Sequence, residues 1–214
     1  MLRLNVGCGQ TPTPGWKNYD NSIAVRLAQH RAVARVLSRK LRVLQNRREF
    51  IATAQRAGIV WANAATRIPE VELSVDVLYS SHFVEHLDRR EILQFLKEAR
   101  RVLVPGGVIR TALPNIRFHV DNYLRDGDAD AFIEATCLTH VRPKTLREKS
   151  RFLLIGDRGH LWMYDGDSFC RLLTCAGFKN AQVLEPGVTT ISNPGKLNLR
   201  EREPESVFVE AVNP

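Results

Sequence analysis

The chain has 214 residues, which is enough for one domain with its own hydrophobic core. Hydrophobic residues make up 44% of it, as in ordinary globular proteins, and this excludes wholesale disorder. No apolar run reaches the roughly 18–20 residues that cross a bilayer, and the four cysteines form neither a CxxC pair nor a zinc-site spacing. We therefore predict a single domain over residues 1–214, without a transmembrane segment and in the reducing cytoplasm. The oligomeric state is not indicated.

The net charge of +8 comes from one segment. Residues 26–56 contain nine Lys and Arg residues and one acid, Glu49, whereas the rest of the chain has 22 basic and 22 acidic side chains. Nucleic acid, an anionic membrane surface or a protein partner are alternative ligands for such a segment. Because Phe50 is its only Phe, Tyr or Trp, we do not favour nucleic acid.

Strands and helices alternate along the chain. Apolar patterning and turn residues predict strands at 2–6, 16–20, 59–62, 75–80, 108–113, 181–184 and 207–212. They predict one or two basic helices within 22–57, a helix from the capping-box pair Asp88 and Glu91 to 103, and a helix at 166–176. This order predicts an α/β fold, a single doubly wound Rossmann-like domain with a mostly parallel sheet. Residues 115–160 form an insertion that we assign to the substrate side.

Two turns lie where such sheets bind ligands, beyond the carboxyl ends of the strands. Gly7-Cys8-Gly9 follows the first strand, and glycines let the backbone bend and approach a ligand closely. Asp20 ends the second strand, where an acid can accept both hydroxyls of a ribose. Ten residues separate Gly9 from Asp20, so we expect the usual intervening helix to be missing or vestigial. A purely structural turn and a solvated Asp20 are the alternatives.

Five strings occur in order: LNVGCG at 4–9, PGWKNYD at 14–20, DVLYSSHFVEHL at 76–87, RVLVPGG at 101–107 and LLTCAGF at 172–178. Together they resemble the class I S-adenosylmethionine-dependent methyltransferases, specifically the small type 11 branch. The resemblance implies a seven-stranded sheet with the last strand antiparallel, and S-adenosylmethionine as the cofactor.

The resemblance also implies which residues hold this cofactor. Gly7, Cys8 and Gly9 would line its methionine part, and Asp20 would hold its ribose. Ser80, Ser81 and His82 would lie beside the sulfonium, with one of the two serines at the amino-acid end. Family members commonly place an acid at the adenine amino group, where this chain has Asn63 and Ala64, so we assign these two residues or their backbone to adenine.

His82, Glu85 and His86 are spaced to share one face of a helix. This HxxEH pattern also marks a class of zinc peptidases, but here it follows a strand, and no downstream acid on a matching helix is apparent. We favour a structural role in which Glu85 and His86 form hydrogen bonds with loop backbone. Acceptor binding by Glu85 or base catalysis by His86 is the alternative. We predict no metal, although a divalent ion at these three residues stays open.

His160, Trp162 and Tyr164 precede the last predicted helix, and a titratable ring with aromatic walls suits a small polar acceptor. Asn115 is assigned to the same acceptor site. The alternative is a structural role, with Trp162 and Tyr164 in the core and His160 hydrogen-bonded to a backbone carbonyl.

The predicted function is methyl transfer from S-adenosylmethionine to a small polar acceptor, with a hydroxyl favoured over an amine. A hydroxyl must lose its proton, and His160, then His86, are the candidate bases. Five basic residues against one acid within 142–151 are consistent with an anionic acceptor or with a solvated helix face. Family analogy favours a sugar or other metabolite. The alternatives are a nucleic-acid methyltransferase and a non-catalytic methyltransferase-like binding module.

Overall fold

The computed structural model describes residues 1–30, 48–138, 145–146 and 159–214. The middle of the predicted basic helical segment and most of the predicted basic cluster at 142–151 lie outside these residues. Among the described helices, none combines the length and the apolar character needed to span a bilayer.

Seven strands and six α-helices occur within the described residues. The strands are β1 (Arg3–Val6), β2 (Lys17–Asp20), β3 (Val60–Trp61), β4 (Val75–Ser81), β5 (Leu103–Pro114), β6 (Lys179–Leu184) and β7 (Ser206–Val212). The helices are α1 (Ile23–Ala28), α2 (Arg48–Ala57), α3 (Arg89–Val102), α4 (Ile116–Asp126), α5 (Ala129–Ala135) and α6 (Gly166–Cys175), with a short 3₁₀ turn at Val84–His86.

The strands form one sheet in the order β3-β2-β1-β4-β5-β7-β6. Neighbouring pairs from β3 to β5 are parallel, whereas β7 runs antiparallel to both β5 and β6. The predicted seven-stranded, mostly parallel sheet with an antiparallel last strand is therefore confirmed. Strand order reverses between β1 and β4, which makes the carboxyl ends of these two strands the expected ligand site.

Local signals account for most element ends. Asp88 caps α3 by accepting hydrogen bonds from Arg90 N and Glu91 N, and the Glu91 carboxylate accepts a bond from Asp88 N in return, which completes the predicted capping box. The apolar face of α3 is fully buried in the main core through Ile92, Phe95 and Leu96. Such a cap typically contributes about 1 kcal/mol to stability.

Strand β5 begins earlier than predicted. The sequence Pro105-Gly106-Gly107 favours a break, but the strand already begins at Leu103 and continues through these residues. Leu103 pairs with Val75 and Val108 pairs with Val77, so the residues between Leu103 and Val108 form an irregularity in the pairing with β4.

No helix lies between β1 and β2, because residues 7–16, all described, form only turns and bends. Instead, α1 and α2 pack together behind the first turn, in a second core cluster that includes Cys8, Val25, Phe50 and Ile51. The described ends of the basic segment thus use their apolar faces to support residues 7–9.

A buried ion pair ties the β6–β7 connection to the sheet. The Arg110 guanidinium on β5 donates to the Glu210 carboxylate on β7 at 2.6 Å and to the Val188 carbonyl at 2.9 Å. Hydroxyls of Thr189 and Thr190 also donate to Glu210. The long connection is therefore held against the sheet face by polar contacts as well as by packing.

Candidate active site

The turn after β1 and the acid after β2 face each other. The amide of Gly9 donates to one carboxylate oxygen of Asp20 at 3.1 Å, and the amide of Ser22 donates to the other at 2.8 Å. Asp20 is half-buried, so it is accessible from the open side of this bend. The structure thus brings together Asp20 and residues 7–9, which we call the glycine bend, at the carboxyl edge of the sheet.

The two glycines of the bend have different surroundings. Both have positive φ, +67° at Gly7 and +49° at Gly9, a conformation that favours glycine. A Cβ atom on Gly7 would lie 2.5 Å from Cδ2 of Phe83, whereas one on Gly9 would meet no atom of the described residues within 4 Å. Gly7 is therefore required by packing, and Gly9 borders open space.

Phe83 was not among the predicted site residues. Its ring packs on Gly7 and lies edge-to-face against Phe95, with centroids 5.2 Å apart. It therefore links the glycine bend directly to the HFVEH segment at 82–86. The available sequence signal was a bulky aromatic residue inside that segment.

Two predicted cofactor residues direct their side chains into the core. Cys8 is buried against α1 and α2, and burial raises the pKa of its thiol. The methyl group of Ala64 is buried in the main core cluster. The side chains of these two residues are therefore not available to a ligand, and the backbone N–H and carbonyl of Cys8 are bonded to Tyr19 and Thr11, which fixes the shape of the bend.

The residues after β3 form a turn beside Asp20. Half-buried Asn63 accepts a hydrogen bond from Ala65 N at 3.2 Å through its side-chain oxygen. Trp61 pairs with Asp20 in the sheet, is 37% exposed, and donates from Nε1 to the Asn21 carbonyl at 3.0 Å. This exposed indole at the strand end was not predicted, although an aromatic residue just before a turn is a usable signal.

The two serines after β4 differ in availability. Ser80 is fully buried, and its hydroxyl contacts the Thr111 hydroxyl at 3.4 Å. The Ser81 hydroxyl is buried near the Tyr79 hydroxyl but makes no well-aligned hydrogen bond to the described residues. Ser81 is thus the serine with hydrogen-bonding capacity to spare.

His82 is held by residues from the β6–β7 connection and β7. An Arg202 guanidinium N–H donates to Nδ1 at 3.2 Å, which assigns the proton to Nε2 and makes Nε2–H the donor to Ser206 Oγ at 2.9 Å. The backbone of His82 has φ +46°, a strained conformation for a residue with a side chain. Neither Arg202 nor Ser206 carries a local motif that could have revealed this contact.

Glu85 is the most unusual side chain of the site. It is fully buried, yet neither carboxylate oxygen has a hydrogen-bond partner among the described residues. Its Oε1 instead lies 3.3 Å from His82 Nδ1, 4.0 Å from His86 Nε2 and 4.0 Å from His160 Nε2. The structure therefore adds His160, from a distant part of the chain, to the HxxEH pattern.

Backbone contacts hold this group together. His86 Nδ1 lies 3.1 Å from the Gly159 carbonyl, which assigns Nδ1 as the donor. The Glu85 carbonyl accepts hydrogen bonds from Leu161 N at 2.7 Å and Trp162 N at 3.2 Å. His86 thus makes the predicted contact to loop backbone, whereas the Glu85 carboxylate does not.

His160 is mostly buried, and its ring lies 5.2 Å from that of His86. Burial is the largest cause that lowers its pKa; the Glu85 carboxylate opposes this, and His86 adds to it. The neutral form of His160, which can accept a proton, is thereby favoured.

The two predicted aromatic residues of the acceptor site differ in their exposure. Trp162 is 45% exposed and lies under the Arg89 guanidinium, 4.7 Å from the ring centroid. Tyr164 is buried against Phe169, accepts a hydrogen bond from Arg89 at 3.2 Å, and has its pKa raised by burial. Trp162 is therefore available to a ligand, whereas Tyr164 packs in the core. Arg89, which was not among the predicted site residues, contacts both.

Asn115 follows β5 at the same sheet edge. Its side chain accepts a hydrogen bond from Arg117 N at 3.1 Å and so caps α4. Its backbone bridges to Tyr164, which anchors the segment after His160 beside the end of β5.

Several solved structures resemble this chain. A SAM-dependent methyltransferase from Thermotoga maritima, described as a possible histamine N-methyltransferase, gives a TM-score of 0.54 at 16% identity and covers 100% of this chain and 82% of its own. A SAM-dependent methyltransferase from Methanosarcina mazei gives 0.51 at 18% identity, with 98% and 91% covered. The DhpI–SAH complex gives 0.52 at 13% identity, with 98% and 74% covered. At these identities the likeness shows the fold.

No curated protein matches this sequence. A family model does: the methyltransferase domain of type 11 matches residues 4–111, which include the glycine bend, Asp20 and the HFVEH segment. The chain therefore belongs to the type 11 family of class I S-adenosylmethionine-dependent methyltransferases, and S-adenosylmethionine is its cofactor.

Proposed function

We propose that this methyltransferase acts on a hydroxyl of a small polar acceptor, bound between the glycine bend and the histidines around Glu85. One observation carries the proposal. A fully buried carboxylate faces three histidine nitrogens at the carboxyl edge of the sheet, and Phe83 connects this group directly to the glycine bend. Methyl transfer to a hydroxyl needs a proton acceptor at such a place, whereas transfer to a neutral amine needs it less.

The residues present fit the cofactor. Asp20 has its carboxylate at the mouth of the bend, where ribose hydroxyls can donate to it. Gly9 leaves open space for the methionine part, and the Ser81 hydroxyl has hydrogen-bonding capacity for its amino-acid end. The cofactor supplies a methyl group activated by the sulfonium charge.

The remaining cofactor contacts are assigned as follows. Gly7 and Cys8 act through their backbone in the bend, Asn63 and the backbone of Ala64 border the adenine, and half-buried His82 lies near the sulfonium. Ser80 supports β4 through Thr111 rather than binding the ligand itself.

In this proposal His160 takes the proton of the acceptor hydroxyl, and His86 is the second candidate. A mostly buried imidazole accepts a proton while its environment excludes competing water. The charge that forms on the ring is stabilised by Glu85, because an anion at about 4 Å interacts strongly where the surroundings exclude water. Glu85 therefore acts as a positioning and charge-balancing residue.

The acceptor side is formed by Trp162, Arg89 and Asn115. An exposed indole offers a flat face to a sugar or other polar metabolite, and Arg89 gives this wall a positive charge. Tyr164 orients Arg89 from the core. An anionic acceptor is consistent with this positive charge and with the cluster of basic residues in the sequence at 142–151.

The test is methylation of a panel of acceptors matched in size, including sugars, hydroxy acids and primary amines, with S-adenosylhomocysteine release as the readout. We expect turnover with hydroxyl acceptors, and a large loss of kcat in His160→Gln with unchanged S-adenosylhomocysteine affinity. Turnover with amines alone, or full activity of His160→Gln, would contradict the proposal.

A further inference from the structure

We propose that Glu85, His86 and His160 bind a divalent metal ion of the zinc type. The proposal goes beyond the proposed function in naming a ligand of this group, and it rests on that function only where the ion meets the acceptor. It also departs from the expectation from sequence, which included no metal and did not bring His160 into contact with the HxxEH segment.

The first argument is geometric. One ligand atom from each of the three residues lies within 4.8 Å of the other two. Any three atoms so arranged have a point no more than about 2.8 Å from all of them, compared with about 2.0–2.2 Å for zinc–nitrogen and zinc–oxygen bonds. Side-chain shifts of less than about 1 Å would therefore close the site, which rotations about χ angles can supply.

The second argument is electrostatic. The Glu85 carboxylate is buried, and neither oxygen receives a hydrogen bond from the described residues. Its nearest neighbour, His82 Nδ1 at 3.3 Å, already accepts a hydrogen bond from Arg202 and so offers no proton. A buried anion without a hydrogen-bond donor is strongly unfavourable. His86 donates from Nδ1 to the Gly159 carbonyl, so in its neutral form Nε2 carries a lone pair, and this nitrogen lies 4.0 Å from Glu85 Oε1. Neither atom has a proton to donate to the other, so no hydrogen bond joins them, and a cation bound between them would interact favourably with both.

The surroundings match those of metal sites. A ligating histidine usually donates its other ring nitrogen to a carbonyl or carboxylate, as His86 does to Gly159. Two imidazoles and one carboxylate favour zinc and similar transition ions over magnesium, which prefers oxygen ligands. Three protein ligands also leave a coordination position open, as in catalytic zinc sites.

In the ion-loaded protein the acceptor hydroxyl would occupy this open position. Coordination lowers the pKa of the hydroxyl, its proton passes to solvent, and the oxygen attacks the methyl carbon while the carbon–sulfur bond breaks. The products are the methyl ether, S-adenosylhomocysteine and one proton. His160 is then a ligand, and its role as a base applies to the metal-free protein.

The test uses the full chain, stripped with chelator and titrated with CoCl₂ and ZnCl₂ under calorimetry and visible absorption. We expect one equivalent of Co²⁺ to bind with intense d–d bands, and Zn²⁺ to displace it. Glu85→Gln, His86→Gln and His160→Gln should each weaken binding at least about tenfold, the loss that removal of a metal-site contact typically causes. His30→Gln, at an exposed histidine elsewhere, is the matched control and should bind like the wild type.

Absence of a stoichiometric Co²⁺ site, or equal binding by the three variants and the wild type, would overturn the metal proposal. Circular dichroism and thermal melting of each variant show whether a loss reflects unfolding. If Glu85→Gln fails to fold, the two histidine variants and the wild-type titration still decide the question. S-adenosylhomocysteine binding, measured in parallel, tests the cofactor site separately, so either proposal can fail alone.

Discussion

Replacing Asp20 by Ala tests the cofactor site most directly, because its carboxylate is hydrogen-bonded to the glycine bend through Gly9 N. A hydrogen bond to a charged group contributes about 1.5–3 kcal/mol, and water replaces part of it when the partner is removed. We therefore expect a loss of about 1–3 kcal/mol in binding S-adenosylhomocysteine, or about 5–150-fold in Kd. Calorimetry measures this without knowledge of the acceptor.

The structure also calls for a control on stability. Asp20 accepts hydrogen bonds from Gly9 N and Ser22 N, so its removal leaves two backbone donors unpaired and weakens the fold itself. Asp76, at the opposite end of the sheet, accepts a bond from Leu2 N at 2.6 Å. Asp76→Ala should lower the melting temperature while leaving Kd unchanged. An Asp20→Ala protein that binds within twofold of the wild type would refute the ribose assignment.

Three further predictions address the bend, the base and the ion pair. Gly7→Ala should destabilise the protein by about 2–4 kcal/mol through its clash with Phe83, whereas Gly9→Ala should cost about 1–2 kcal/mol of stability and weaken cofactor binding. Urea unfolding measures the stabilities and calorimetry the binding; a larger loss of stability in Gly9→Ala than in Gly7→Ala would contradict this assignment. His160→Ala, assayed metal-free, should lower kcat by about 10²–10⁴, and a change below threefold would remove it as the base. Burial alone would raise the pKa of Glu210, but hydrogen bonds from hydroxyls, backbone and Arg110 outweigh burial and lower that pKa. The contribution of Glu210 to folding stability is therefore fully present above about pH 4.3 and is lost as pH falls through the lower pKa of the folded state. Glu210→Gln should cost about 3–5 kcal/mol at pH 7 and flatten this acid dependence in urea melts; an unchanged acid limb would contradict it.

Much of the fold could be predicted because its signals are local. The capping box at Asp88 and Glu91 begins α3 where expected, and the close spacing of Gly9 and Asp20 leaves no room for a helix between β1 and β2. The predicted start of β5 at residue 108 was wrong because it, too, was based on a local signal alone. Pro105-Gly106-Gly107 is a local break signal, and these residues are skipped in the pairing with β4, but Leu103 before them already pairs with Val75.

The site was predictable in part. Asp20 and the glycine bend meet because parallel strands end at one edge of a sheet, a consequence of topology that motifs can reveal. The contacts of Phe83 with Gly7 and of Arg89 with Trp162 depend on which rotamers fit together after packing. No periodicity in the sequence encodes them.

The sequence by itself determined the order of the strands and helices, the methyltransferase family and the bend that faces Asp20. Only the tertiary structure placed His160 against Glu85 and His86, and showed that this carboxylate is buried without a hydrogen bond from the described residues. The physical reason is separation along the chain. Hydrophobic pattern, caps and turns act over a few residues, whereas the partner of a buried charge is chosen when distant segments pack together and exclude water.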